Sequence, residues 1–149
     1  MITYKLYDER LDKLAFAAGF FDGWPNPPSD DVHRKLLKQS YYALVAIDET
    51  RNQIVGFVNA ISDGVLSVYV PLLEVVASYQ NQGIGQALME RLLHDLQDFY
   101  MIDLSCDESM QAFYERFDMH PAHAMIKRNF KTQSGFTKRV ALMHHQDKD

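Results

Sequence analysis

The sequence predicts a mixed α/β fold in which a central, mostly antiparallel sheet carries helices on both faces. Short runs rich in β-branched and aromatic residues, separated by polar turns, predict antiparallel strands in the first half. In the second half, a segment with apolar residues at helical spacing joins two strand-like runs, which predicts a parallel β-α-β crossover. The 149 residues are 47% hydrophobic, enough to cover both faces of one sheet.

The chain shows no internal repeat, low-complexity tract or linker, so we predict a single domain over residues 1–149, with 132–149 as a polar C-terminal extension. No apolar run approaches the roughly 20 residues that a membrane span needs. The single cysteine excludes an internal disulfide and fits a reducing compartment. We therefore expect a cytoplasmic protein without a membrane partner.

Charge and histidine content narrow the function classes. The net charge is −5, and the basic residues are scattered apart from a small cluster over 127–131, so we expect no nucleic-acid partner. The histidines at 94, 120, 123, 144 and 145 form no recognisable ligand set, and we expect no metal. Cys106 is expected to be a buried strand cysteine and not a nucleophile.

The first third of the chain predicts one strand and two helices. Residues 2–6 alternate as a short strand, and apolar residues at helical spacing predict a helix over 8–21. The proline-rich stretch 22–28 must be a loop because prolines remove backbone donors. Ser29 is then a suitable N-cap for a second helix that runs to about Gln39.

Three strand-like runs follow, over 41–48, 53–62 and 65–76. Asp63-Gly64 between the second and third runs is a strong hairpin signal. Pro71 cannot donate to a ladder, so it indicates an edge, a bulge or a local splaying of the strands.

The last third predicts a helix, a strand, a short helix and a final strand. The first helix covers about 83–98 and the strand 99–106. The short helix has one apolar stripe, formed by Met110, Phe113, Tyr114 and Phe117. Residues 124–130 are the last predicted strand.

A turn with two glycines connects the strand that ends near Val76 to the helix that begins near Gly83. Glycine lets a ligand approach the backbone, and the free amides at a helix start favour an anion such as phosphate. Leu88 occupies the position where a dinucleotide-binding fingerprint has its third glycine, and the Gly-Lys-Ser/Thr of a nucleotide triphosphatase loop is absent.

The pattern Q-x-x-G-x-G at Gln80, Gly83 and Gly85 resembles the pyrophosphate-binding motif of the GNAT superfamily of acyl-CoA-dependent N-acyltransferases. Ala77 replaces a proline that is common there in the family. The resemblance implies a GNAT-like fold, acetyl-CoA as co-substrate, and an amine acceptor. The coenzyme-binding residues that it implies here are Val75, Val76, Gln80, Asn81, Gln82, Gly83, Ile84, Gly85, Gln86 and Ala87.

Residues 107–119 resemble the family's later motif, an asparagine-led helix that ends in Phe/Leu-Tyr-Glu-Lys/Arg-x-Gly-Phe. Asp107 stands where asparagine is usual, and Asp118 where glycine is usual; aspartate caps helices well and tolerates left-handed backbone. This match adds Asp107 and Phe113 to the implied coenzyme site. The stretch 113–122 is also similar to arylalkylamine N-acetyltransferases.

The reaction implied by the resemblance is direct attack of a neutral amine on the thioester in a ternary complex. A backbone amide near Val75 and Val76 would stabilise the oxyanion, and Tyr114 would protonate the leaving thiolate. Tyr114 could instead be only a core aromatic. Glu74 is the nearest carboxylate in sequence for the general base, although it could be an exposed strand-end charge, and Asp63, Tyr69 and His120 are further candidates.

Phe21, Asp22 and Trp24 are candidate substrate-binding residues, because an aromatic wall with a carboxylate suits an ammonium group. A hydrophobic lid or a dimer contact is an equal alternative for this loop, so a homodimer stays open.

The acceptor could be a small-molecule amine or a protein amine. Two rival hypotheses are a non-catalytic acyl-CoA-binding sensor or regulatory module, and a structural dimerisation domain that retains only a vestigial turn.

Overall fold

A computed structural model describes residues 1–136 of the chain. Its regular elements are β1 Ile2–Leu6, β2 Ala15–Phe16, α1 Asp30–Gln39, β3 Tyr42–Asp48, β4 Gln53–Ser62, β5 Ser67–Val75, α2 Ile84–Asp95, β6 Met101–Leu104 and α3 Gln111–Glu115. Most of the predicted extension 132–149 lies outside the described residues. No helix in the described part is long and apolar enough to cross a membrane.

The strands form one mixed sheet. Its order is β1-β3-β4-β5-β6, antiparallel as far as β5, while β6 runs parallel to β5. The two-residue strand β2 pairs in parallel with the first residues of β4. The predicted mixed, mostly antiparallel sheet is therefore confirmed.

Apolar residues cover both faces of the sheet, as predicted. On one face, Val58 and Ala60 of β4 belong to a buried cluster that includes Leu88 and Leu92 of α2. On the opposite face, Phe57 belongs to a second cluster that includes Leu37 of α1. Because successive strand residues point to opposite faces, one strand supplies both cores.

The hairpin between β4 and β5 confirms the Asp63-Gly64 signal. Gly64 has φ +77°, which is the left-handed region that favours glycine. The Asp63 carboxylate accepts hydrogen bonds from the amides of Val65, Leu66 and Ser67 at 2.9–3.1 Å. These bonds close the turn and fix the register of the two long strands.

β5 loses one neighbour halfway along its length. It pairs with β6 only from Ser67 to Val70, but it pairs with β4 as far as Val75. The ladder with β4 shifts register where Val70 and Pro71 oppose a single residue, so the predicted irregularity at Pro71 is confirmed as a bulge. Within the described residues, the β6-side edge of 71–75 has no partner strand, and a gap opens there.

The predicted helix over 8–21 is wrong. A 3-10 turn at Glu9–Leu11 is followed by β2, and the amide of Ala17 bonds the carbonyl of Ile54 at 2.9 Å. Positive φ angles at Gly19 and Phe21 then prevent a helix. Pairing with a strand that is distant in sequence overrides the local periodicity.

The predicted strand over 124–130 is also wrong. Residues 120–129 are irregular and exposed. The segment is tied instead to the proline-rich loop: the Asn26 side-chain amide donates to the carbonyl of Phe130 at 2.9 Å, and the Asn26 backbone amide to the Gln133 side chain at 2.8 Å.

Three smaller boundaries also change. α2 ends at Asp95, before the predicted 98. β6 ends at Leu104, which leaves Cys106 exposed beyond the strand; its predicted burial is wrong. The Phe113 helix is a five-residue α3 that follows a 3-10 turn at Glu108–Met110.

Candidate functional site

The turn from β5 to α2 is shaped by two left-handed residues and one side-chain bond. Asn81 has φ +63° and Gly83 has φ +82°. The side-chain amide of Gln80 donates to the carbonyl of Val75 at 2.8 Å. The motif glutamine therefore ties the turn back to the end of the strand. Asn81 and Gln82 are exposed beside it.

The first amides of α2 have neither a helical nor a side-chain partner. No side chain caps the helix, and the first bond within it runs from the amide of Ala87 to the carbonyl of Gly83 at 3.0 Å. The amides of Ile84, Gly85 and Gln86 precede that bond and are free by the geometry of a helix start. The Ala87 amide is bonded within the helix and is not one of these free donors.

The space around these amides fits an anion. A Cβ built on Gly83 would meet nothing within 4 Å, and one built on Gly85 would lie 3.8 Å from the Phe113 ring and 3.9 Å from Val75. The absence of a side chain at Gly85 lets the Phe113 ring approach the first turn of α2. An open helix start with free amides and a positive dipole suits a diphosphate.

The gap beside β5 exposes backbone groups on its β6 side. The amide of Val76 bonds the carbonyl of Val55 at 3.0 Å, so the free amide expected near Val75 and Val76 is not that of Val76. Adjacent strand residues direct their amides to opposite edges, so the amide of Val75 faces the gap. The side-chain bond that its carbonyl accepts from Gln80 agrees with this direction.

Tyr114 lies on α3, partly buried against the core on the α2 side of the sheet. Its ring meets that of Phe113 edge-on at 5.0 Å. Burial, with a smaller contribution from the nearby Cys106, raises the pKa of Tyr114 to about 12. The phenol is therefore protonated throughout the physiological pH range, with a higher pKa than the ordinary value of about 10 that the sequence suggests.

Glu74 points to the opposite face of β5, where it is partly buried. Its cross-strand partner is Phe57, which belongs to the α1-side core. One carboxylate oxygen, Oε1, accepts the amide of Phe21 at 2.9 Å, while Oε2 is buried without a hydrogen-bond partner. Burial raises the pKa of Glu74, and the Phe21 amide opposes part of that rise. The alternative of an exposed strand-end charge is wrong.

The three residues predicted to bind substrate have different environments. Phe21 is buried, and its ring packs against Trp24 at 4.9 Å and Phe57 at 6.2 Å. Trp24 is partly buried and Asp22 is exposed. A cavity of about 290 Å³ is lined by Phe21 but by neither of the other two. Of these three residues only Phe21 lines the cavity, where Phe16 and Phe20 complete the aromatic wall.

The remaining predicted residues lie around α2 and α3. Asp107 precedes the 3-10 turn as its N-cap residue, but its side chain makes no capping hydrogen bond, contrary to expectation. Asp118 has φ +64°, which confirms the left-handed backbone expected at a position where the family usually has glycine. The side chain of Gln86 donates to Glu90 at 2.9 Å.

The other three candidate bases lie in different environments from that of Glu74. Asp63 closes the hairpin, and the amides that it accepts, that of Leu66 first, lower its pKa. The hydroxyl of Tyr69 donates to Ser105 at 3.1 Å. His120 is exposed beside Asp118.

His33 was missed by the reasoning from sequence. It is buried on α1, lines the same cavity as Phe21, and its Nε2 has no hydrogen-bond partner. The available signal was its spacing: His33 lies three and four residues before Leu36 and Leu37, on the apolar face of the helix.

A gap in a mixed sheet, beside a helix start with free amides, defines the fold class of the acyl-CoA-dependent N-acyltransferases. The chain belongs to the acetyltransferase (GNAT) family, whose sequence profile matches residues 7–119. The resemblance inferred from the motifs is thereby confirmed, as is the GNAT fold.

Solved structures agree with this membership. A candidate acetyltransferase from Deinococcus radiodurans R1 is 39% identical, with a TM-score of 0.83, over 92% of this chain and 94% of that chain. A GNAT-family acetyltransferase from Streptococcus pneumoniae TIGR4 is 26% identical, with a TM-score of 0.63, over 87% of this chain and 98% of that chain.

A named relative matches over a shorter stretch. The Arabidopsis thaliana protein called GCN5-related N-acetyltransferase 1, chloroplastic, is 32% identical over 90 residues. The match covers 60% of this chain but only 43% of that protein, so it extends over less than half of the relative's length.

Proposed function

We propose that the chain transfers an acetyl group from acetyl-CoA to a primary amine by direct attack in a ternary complex. The observation that carries the proposal is the gap on the β6 side of Pro71–Val75, which opens next to the free amides of α2. The free amides of α2 can bind an anion, and the gap can receive an extended chain. An acyl-CoA has both parts, a diphosphate and a pantetheine arm.

The residues of the glycine turn fit the coenzyme. The amides of Ile84, Gly85 and Gln86 would hold the diphosphate, and the Val75 amide would donate to the pantetheine arm or to the thioester oxygen. When bound, acetyl-CoA supplies an activated acyl group as a thioester. A preorganised backbone donor stabilises negative charge on that oxygen without having to reorganise.

Glu74 is the proposed general base. Its Oε2 is buried and unpartnered, so it can accept a proton from the bound ammonium form of the substrate. Burial raises the pKa of Glu74 toward neutrality, which improves a carboxylate as a proton acceptor. The Phe21 amide holds Oε1 and thereby fixes the orientation of the carboxyl group.

Tyr114 is the proposed proton donor to the leaving sulfur. Since its pKa is raised to about 12, the phenol is always protonated and can donate a hydrogen bond to the sulfur. A thiol has an ordinary pKa of about 8.5, so complete transfer from Tyr114 is uphill. We therefore expect Tyr114 to act mainly through a hydrogen bond that stabilises the developing thiolate.

The test is release of free thiol from acetyl-CoA with purified protein and a panel of amines. The panel should include arylalkylamines, polyamines, amino acids and lysine peptides. Acetyl-CoA at 100 times its dissociation constant should stabilise the fold by about 2.7 kcal/mol. Stabilisation without thiol release in the presence of any amine would favour the non-catalytic sensor. If acetyl-CoA gives neither stabilisation nor thiol release, the glycine turn between β5 and α2 is vestigial.

The site of action that we propose is the cytoplasm, because a single cysteine fits a reducing compartment. Cell fractionation with an antibody against the chain tests this location.

A further inference from the structure

Phe21 has a backbone conformation that its own side chain disfavours. Within residues 1–136, four residues other than glycine have a positive φ, and three of them are asparagine or aspartate, whose short polar side chains tolerate left-handed backbone. The fourth is Phe21, at φ +57°. A bulky residue in this region is strained, and such a residue persists only where the surrounding structure holds it.

Aromatic packing holds the ring of Phe21 in place. Phe21 is 3% exposed, and the centroid of its ring lies 4.9 Å from that of Trp24, 4.9 Å from that of His33 and 6.2 Å from that of Phe57. These neighbours belong to three different parts of the fold, namely the proline-rich loop, α1 and β4. The ring is therefore fixed from several directions.

The left-handed backbone lets the amide of Phe21 reach the proposed general base while the ring keeps its contacts. The amide donates to Oε1 of Glu74 at 2.9 Å. In the described part of the chain the other oxygen, Oε2, has no partner, so this amide is the group that orients the carboxylate. The angle φ sets the direction of the amide relative to the side chain. At a negative φ, either the ring contacts or the bond to Glu74 would be lost.

Glycine would adopt the same backbone without strain, but it would leave the amide free to move. The presence of phenylalanine indicates that the ring is needed to fix the amide. Resting on the proposed acetyl transfer, we propose that Phe21 is a positioning residue for that reaction: its packed ring keeps the backbone left-handed, and this backbone keeps the amide bonded to the Glu74 carboxylate. The geometry of the base thus depends on strain that aromatic packing maintains.

The charge state of Glu74 depends on the same amide. Burial raises the pKa of Glu74, and the Phe21 amide opposes part of that rise. Of the elements around it, β4 presents the apolar Phe57, and α1 presents His33, which is neutral because burial lowers its pKa to about 3. Asp22, next to Phe21 in the chain, is exposed. Loss of the amide should therefore raise the pKa of Glu74 further.

The experiment compares Phe21→Ala with Phe21→Gly. Both variants lose the ring and retain the amide, but alanine disfavours left-handed backbone, whereas glycine accepts it. The pH profile of kcat/KM is measured by thiol release with the amine of the panel that is acetylated fastest. We expect kcat to be about tenfold lower in Phe21→Ala than in Phe21→Gly, which reflects the left-handed preference of glycine over alanine. The ascending limb of the profile should lie at higher pH in Phe21→Ala, while the dissociation constants of coenzyme A should agree within about twofold.

Asn52 provides the matched control for this pair. It has φ +52° in the exposed turn between β3 and β4. Asn52→Ala should be less stable to heat than Asn52→Gly, because the backbone strain is of the same kind. The kcat values and pH profiles of the two Asn52 variants should nevertheless coincide. If the two Phe21 variants coincide as well, the backbone of Phe21 does not position the base and the proposal is overturned.

An NMR titration tests the contact without turnover and without a Phe21 variant. A carboxylate accepts a hydrogen bond more strongly than a carboxylic acid does, so the amide proton of Phe21 should shift as Glu74 ionises. This titration should be absent in Glu74→Gln, retained in Phe21→Gly and reduced about twofold or more in Phe21→Ala. An amide of Phe21 that does not titrate in the native protein would overturn the proposal even if both Phe21 variants fail to fold.

The outcomes separate this inference from the function on which it rests. Acetyl transfer with equal kcat values and pH profiles in the two Phe21 variants leaves the enzyme standing and removes only the positioning role. Absence of transfer to every amine removes the proposed function, and the role of Phe21 in the reaction with it, whatever the NMR titration shows.

Discussion

The two halves of the candidate site are built in different ways. The strand–helix region, residues 67–117, presents backbone groups: the free amides of α2 and the open edge of β5. The N-terminal segment, which comprises residues 7–33, presents side chains: His33 stacks on Phe16, and the Glu74 carboxylate accepts a hydrogen bond from the Phe21 amide. The first region suits a fixed coenzyme, whereas the second suits a variable acceptor.

This difference also determines which mutations each region tolerates. Only a substitution to proline removes a backbone amide, so the strand–helix region is sensitive mainly to side chains that block it. The N-terminal segment can change its specificity through single side chains without losing the coenzyme. Each prediction below tests this separation of roles.

The largest expected effect is that of Gly83→Glu. A carboxylate at the start of α2 would place steric bulk and negative charge where the diphosphate is expected. We expect the thermal shift by coenzyme A to disappear and binding by calorimetry to become undetectable.

Gly23→Glu is the matched control for this change. Gly23 has φ +81° against φ +82° at Gly83, and a Cβ at either position meets nothing within 4 Å. Both variants therefore carry the same left-handed strain, about 1–2 kcal/mol for a side chain with a Cβ. Equal loss of coenzyme binding in the two variants would show that strain, and not the blocked anion site, is responsible.

The same contrast explains which parts of the fold the sequence could predict. The strand–helix region is specified locally: Asp63-Gly64 closes the hairpin, and Pro71 marks the bulge where the gap begins. Each of these signals acts within a few residues, so the local sequence is sufficient to predict the hairpin and the bulge.

The structure of the N-terminal segment could not be predicted from local signals. Ala15 and Phe16 pair with Gln53 and Ile54, which are nearly forty residues away, and this pairing replaces the predicted helix. The cavity likewise joins residues from both ends of the segment, so His33 acquires its environment only in the folded chain. Contacts between residues that are distant along the chain leave no periodic pattern in the local sequence, so they could not be predicted from it.

Tyr114→Phe is expected to give the next largest effect. Loss of the donor to the leaving sulfur should lower kcat by about 10²-fold or more. The dissociation constant of coenzyme A should stay within about twofold, because phenylalanine preserves the packing beside Phe113. Equal losses in kcat and in affinity would mean that Tyr114 only packs. Tyr100→Phe, at an exposed tyrosine, is the control.

Glu74→Gln should lower kcat/KM by about 10²-fold and change its pH dependence. A general base acts when deprotonated, and burial raises the pKa of Glu74 above its ordinary value. In the native protein, kcat/KM should therefore rise with pH through that raised pKa, and this ascending limb should vanish in the variant. Glu9→Gln, at an exposed carboxylate, should retain the limb. An unchanged limb in Glu74→Gln would assign the base to another group.

The smallest expected effect contrasts the two helix starts. The Ser29 hydroxyl caps α1 by accepting the amide of Val32 at 3.2 Å, whereas no side chain caps α2. Ser29→Ala should therefore lower the free energy of unfolding in urea by about 1 kcal/mol. Saturating coenzyme A should stabilise Ser29→Ala and the native protein by the same amount. The cap is distant from the diphosphate site, so its free-energy contribution and that of the coenzyme should be additive. A smaller stabilisation of the variant would mean that α1 and the coenzyme site are coupled.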